Sequence, residues 1–146
     1  MNEFITSFFK QYQEIAETGK GISGETIKVL ESKLNVRLPK SYINFLSQYG
    51  YADLFGRSIF GYEPPEDTTV VVHTNDWLEK GLLKGCVVIA DSHEFIYCLN
   101  TNEMNSNLEC PVVCYHPFGQ SFYRVDFSSF QVFLEEIIKE GLDNIT

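Results

Sequence analysis

Three histidines and four cysteines are the side chains of this 146-residue sequence best suited to nucleophilic, acid–base or metal chemistry. His93 has the most suggestive neighbours. Asp91 and Glu94 flank it, and a carboxylate–imidazole pair could move protons. The same residue types are ordinary turn formers, however, and turn chemistry accounts for them without catalysis. A hydrolase using His93 with Asp91 therefore stays a remote alternative. His73 has no second histidine one turn away, and His116 precedes Pro117 in a loop. Cys86 and Cys98 fall inside apolar runs, where a thiol is expected to be buried and inert. The closest pair, Cys110 and Cys114, has C-x3-C spacing interrupted by Pro111, looser than the usual zinc-binding pairs. All four cysteines are read as buried, reduced thiols, with no metal site. The sequence has no P-loop, dinucleotide fingerprint, nucleophile elbow or H-E-x-x-H motif. No cofactor, no catalytic residue and no enzymatic activity is expected.

What remains is surface. Asp53, Glu63, Glu66, Asp67, Asp76, Glu79, Asp91 and Glu94 lie around the expected strands and their connections, with Tyr51, Tyr62 and Trp77 interleaved. Aromatic rings set among charges suit a protein-binding patch, the rings as anchors and the acids for steering. Of these, Asp53, Tyr62, Glu63, Glu66, Asp67, Asp91 and Glu94 are the expected partner-binding set. Glu66 and Asp67 have a simpler account as acids near a helix N-terminus, and Tyr62 and Trp77 could simply plug the core, for Trp77 an equal alternative.

The net charge of −9 is unevenly spread. Residues 1–40 carry 6 bases and 5 acids, whereas residues 41–123 carry 3 bases and 10 acids. Between residues 85 and 123 there is no lysine or arginine. Direct nucleic-acid binding is disfavoured, because phosphate contacts need bases. A basic protein partner fits this surface better, although excess acid also aids solubility. No apolar run reaches the ~20 residues of a membrane helix, and the N-terminus lacks the basic start and cleavage site of a secretory signal. A cytoplasmic location is expected, and the length suits one domain over residues 1–146.

The elements that must position these residues centre on residues 34–61. Pro39 suits a first helical turn. Tyr42, Phe45, Leu46 and Tyr49 recur at helical spacing, and Gly50 closes the run. Short strands are expected at residues 54–55 and 58–60, with Gly56 as the turn. Before this, Phe4, Phe8, Tyr12 and Ile15, with Ile5 and Phe9, form one amphipathic stripe. Residues 17–24 read as a loop. Ser23 caps a second helix with Ile27, Leu30 and Leu34 inside and Asn35 as its stop. Residues 62–69 form a proline-containing connector. Residues 69–80 are read as a helix despite three consecutive valines that favour a strand. Strands follow at residues 86–91 and 94–99, joined by a tight hairpin, and then a surface loop at residues 100–109. Two more strands span residues 111–115 and 121–127. A last helix opens at Ser128 with Gln131 completing a capping box. It buries Phe130, Phe133, Leu134, Ile137 and Ile138, and ends at Gly141. The sum is a single α+β domain: a largely antiparallel or mixed sheet of about six strands with helices packed around it.

Several of these residues resemble the SUKH superfamily. Its N-terminal signature, L-P-x-x-Y/F-x-x-F-L-x-x-Y-G followed by a strand pair ending in apolar-Gly, appears as Leu38-Pro39, Tyr42, Phe45-Leu46, Tyr49-Gly50 and Ile59-Phe60-Gly61. The strand–hairpin–strand run at residues 86–100 and the closing amphipathic helix fit as well; Asp91-Ser92 stands where the family often has Asp-Gly. The resemblance implies an α+β fold. It also implies a bacterial immunity protein that binds and neutralises a cognate polymorphic toxin, often a nuclease, with no catalytic residues to carry over. A scaffold or regulatory interaction module, as in the yeast relative, is the alternative.

Overall fold

The computed structural model describes residues 1–63, 68–92, 95–117 and 122–145. In chain order the elements are α1 (Glu3–Gln11), β1 (Ala16–Thr18), α2 (Gly24–Leu34), α3 (Lys40–Gln48), β2 (Ala52–Leu54), β3 (Arg57–Ile59), α4 (Thr69–Glu79), β4 (Cys86–Asp91), β5 (Ile96–Asn100), a 3-10 turn (Thr101–Glu103), β6 (Val112–His116), β7 (Phe122–Phe127) and α5 (Phe130–Asn144). All strand pairs are antiparallel, so the α+β class is as expected.

The expected sheet of about six strands is instead two: β1-β2-β3 and β4-β5-β6-β7. Among the described residues, a backbone bond joins them, from the Phe60 N–H to the Ile89 carbonyl at 2.8 Å. Ile89 is the residue skipped where the β4–β5 register shifts between Val88 and Ala90. Such a bulge aims one peptide out of its own ladder, and here the freed carbonyl joins the two sheets. Helices cover both faces of the larger sheet. Trp77 of α4 meets Tyr115 on one side, and Phe133 of α5 meets Tyr97 and Phe127 on the other. That double cover explains why Cys86 to Ala90 are all buried, as their nearly continuous apolar run implied.

α3 is the central prop. Tyr42, Phe45 and Leu46 have no exposed surface, and the rings of Tyr42 and Phe45 lie 5.0 and 5.2 Å from Phe130 of α5. The Tyr42 hydroxyl donates to the Phe60 carbonyl at 2.7 Å, so this buried polar group is satisfied. Pro39, the N-cap of α3, offers no side-chain cap. The first-turn N–H groups are satisfied from far along the chain. Lys40 N–H reaches the Leu108 carbonyl at 2.8 Å, and Glu109 accepts from both the backbone and the hydroxyl of Ser41. Leu108 holds φ at +60° to present that carbonyl. The asparagine-rich loop is therefore a cap for the central helix as well as surface. Glu109→Ala should lower stability by about 1–2 kcal/mol, the usual loss of a helix cap. Urea unfolding measures the change, with Asn107→Ala at an exposed position of the same loop as the control.

The helix at residues 69–80 forms as read, its valines notwithstanding. Val70, Val71 and Thr74 turn inward at helical spacing, and the Thr74 hydroxyl accepts the Val88 N–H of β4 at 2.9 Å. Ser23 and Asn35 cap α2 as expected, Asn35 at φ +54°. Four expectations are corrected. Residues 16–18 are a strand rather than the start of a loop, paired to β2. The α1 stripe buries Ile5, Phe8 and Phe9, while Phe4 and Ile15 are exposed. The N-cap of α5 is Ser129, which accepts from Val132 N–H, rather than Ser128. Gly141 lies inside α5 rather than ending it, and the reason is steric: a methyl there would overlap the Phe55 ring. Between β4 and β5 the Ser92 N–H donates to the Phe95 carbonyl at 2.9 Å.

Candidate functional site

The outer face of the small sheet gathers part of the expected acidic set. Ala52 and Leu54 point inward and are buried, which turns Asp53 outward. Its cross-strand neighbours are Glu17 on β1 and Ser58 on β3. The Ser58 hydroxyl donates to the Asp53 carboxylate. Tyr51 sits among the same groups. Burial pushes its phenol up from the usual tyrosine range, and the carboxylates of Glu17, Glu63 and Asp53 push it the same way. Its ring covers Gly19, where a methyl would overlap it. Three acids from three separate segments thus act on one tyrosine in the same sense.

Glu17 and Asp53 are directly opposite each other, and like charges so placed destabilise a sheet. Glu17→Gln should therefore raise stability by a few tenths of a kcal/mol. A thermal melt in low salt reads this out, and the gain should shrink as salt screens the pair.

The other expected residues lie elsewhere. Asp91, exposed at the end of β4, lines a cleft of about 610 Å³ with Phe55, Arg57, Ser58, Phe60 and His73. Ser58 is common to this cleft and the Asp53 group, so the two regions adjoin. His73 stacks on Phe60, with ring centroids 3.9 Å apart and planes 4° from parallel. Tyr62 lines a different groove of about 480 Å³ with Glu25, Val29 and Lys33 of α2. Glu66, Asp67 and Glu94 lie outside the described residues, and so does His93. Glu17 was missed because its strand is three residues long. The in–out alternation of Ala16, Glu17 and Thr18 is the only trace of it in the sequence.

The four cysteines are free and buried. Burial pushes the Cys86 thiol to about 11 and the Cys110 thiol to about 12, and it raises Cys98 and Cys114 too. A thiol so raised is a poor nucleophile. The Cys114 Sγ lies 3.3 Å from the His116 Nε2, but the sulfur has no exposed surface. Among the described residues, no three or more His, Cys, Asp or Glu side chains are placed to hold a metal ion, and no helix is long and apolar enough to cross a membrane.

Compared with models of known families, the sequence matches the SUKH_5 model, described as SMI1-KNR4 cell-wall, over residues 1–139. That span takes in every element through β7 and most of α5, including the glycines and aromatics of the α3 signature.

Proposed function

We propose, from the premise that this chain belongs to the SMI1-KNR4 family of the SUKH superfamily, that it is a non-catalytic immunity protein. It binds a cognate toxin domain and blocks that domain's active surface. The observation that carries this reading is the pair Glu17 and Asp53, set directly opposite each other on the outer face of the small sheet. A protein selected for stability alone gains nothing from opposed like charges on an exposed sheet, whereas a basic partner neutralises both. Tyr51 among them supplies the flat, semi-rigid anchor that protein interfaces favour. The cleft beside it, with Asp91 on its rim, extends the contact surface. Glu66, Asp67 and Glu94 belong to the same proposal on charge alone.

A nuclease is the toxin class that suits this surface best. It must present a basic groove to phosphate, and an acidic inhibitor is the complement of that groove. The test is co-expression with the C-terminal domain of the large open reading frame encoded beside this one. Rescue of growth and a co-purifying complex that weakens in high salt support immunity. An active, soluble toxin domain that still kills in its presence moves the weight to the scaffold reading, in which the partner need not be basic.

A further inference from the structure

We infer that the outer edge of β7 pairs antiparallel with the same strand of a second copy of this chain, centred on Val125. Among the described residues, the larger sheet ends at β7. Tyr123, Arg124 and Val125 are exposed there, Val125 to 61 %. Natural sheets blunt such an edge with lysine or other charges, proline or a bulge; residues 122–127 contain neither lysine nor proline, but they do hold a bulge and two charges. The charges are one cation and one anion, Arg124 and Asp126. The register shift between Val112 and Val113 leaves Asp126 as the extra residue of β7. Its carboxylate is nonetheless on the Arg124 side, with Nε to Oδ1 at 2.7 Å and Nη2 to Oδ2 at 3.3 Å.

This spacing selects the occupant and the register. In an antiparallel pair centred on Val125, Arg124 of each copy stands opposite Asp126 of the other, and Val125 meets Val125. A pair centred on Arg124 or on Asp126 sets like charges opposite each other, as does an in-register parallel pair. Like charges directly opposite are unfavourable, and opposite charges favourable. The two charges therefore discourage slipped or foreign strands and admit the self-pair. Tyr123 is held ready beside the seam, because its hydroxyl accepts the Leu83 N–H at 2.6 Å, and Leu83 adds exposed apolar surface. This inference is independent of the immunity reading, since it uses a different sheet.

Sedimentation equilibrium of the intact chain over a concentration series tests it. The expected result is a reversible dimer that dissociates on dilution. Arg124→Asp and Asp126→Arg should each weaken it about tenfold, because the symmetry repeats every like-charge contact. The double variant Arg124→Asp/Asp126→Arg should recover the dimer, and an equimolar mixture of the two single variants should form a heterodimer. Both substituted side chains are on the surface, and circular dichroism verifies that each variant is folded. A chain monomeric at its highest soluble concentration, or a dimer equally strong in both single variants, overturns the inference.

Discussion

Gly61→Ala should lower the unfolding free energy by about 3 kcal/mol or more, a large share of the roughly 5–15 kcal/mol typical of a domain. The cause is a backbone crossing. A methyl at Gly61 would overlap the Gly50 carbonyl oxygen, which also accepts the Tyr62 N–H at 2.8 Å. Gly50 itself closes α3 at φ +73°, packed against the carbonyls of Lys20 and Tyr62. Backbone cannot step aside as a side chain can. The same junction starts α4: Gly61 donates to the Thr69 hydroxyl at 2.9 Å, and its carbonyl accepts the Val70 N–H at 3.2 Å. Displacing Gly61 therefore loosens the end of α3 and the beginning of α4 together. Gly24→Ala is the internal control. It sits in the first turn of α2 with nothing within 4 Å of a new methyl, so the same change there should stabilise by about 0.5–1 kcal/mol. Urea denaturation of both variants gives the comparison. Equal effects at the two sites would contradict the crossing.

The second large effect is coupled. Gly141 lies on α5 under the Phe55 ring, and Phe55 occupies a left-handed turn at φ +53°, unusual for so bulky a residue. The ring is held between Gly141 and Phe8, whose ring centroid is 5.6 Å away. Packing of the ring offsets the backbone strain. Gly141→Ala should cost about 1–3 kcal/mol through overpacking. In a Phe55→Ala background the same change should be neutral or favourable, because alanine is the better helix former once the ring is gone. A double-mutant cycle should therefore give a coupling of about 1–3 kcal/mol. Additive effects would show that the ring does not rest on the glycine.

These two sites also mark what a sequence can tell. Long periodic segments were legible: α2 with its Ser23 and Asn35 caps, the aromatic face of α3, and the buried face of α5 follow from spacing alone. α4 was legible in spite of its valines, because the inward positions recur at helical and not at alternating intervals. Features that depend on distant chain segments were not legible. A three-residue strand such as β1 has too few residues for a pattern, and only its pairing with β2 defines it. Gly141 looks like a stop until Phe55 is placed against it. Glu109 looks like loop polarity until Ser41 is placed beside it. The excess of acids was evident from composition, and the grouping of Asp53 with Glu63 was half seen. Glu17 and the central place of Tyr51 required the sheet.

The central claim is that the acids around Tyr51 steer and hold a basic toxin domain. Stopped-flow association of that domain with the wild-type chain and with the Glu17→Lys/Asp53→Lys/Glu63→Lys variant tests it most directly, at low and at physiological salt. The predicted result is association at least about tenfold slower in the variant, with most of the salt dependence lost. A folded variant that associates at the wild-type rate, with the wild-type response to salt, would contradict the claim.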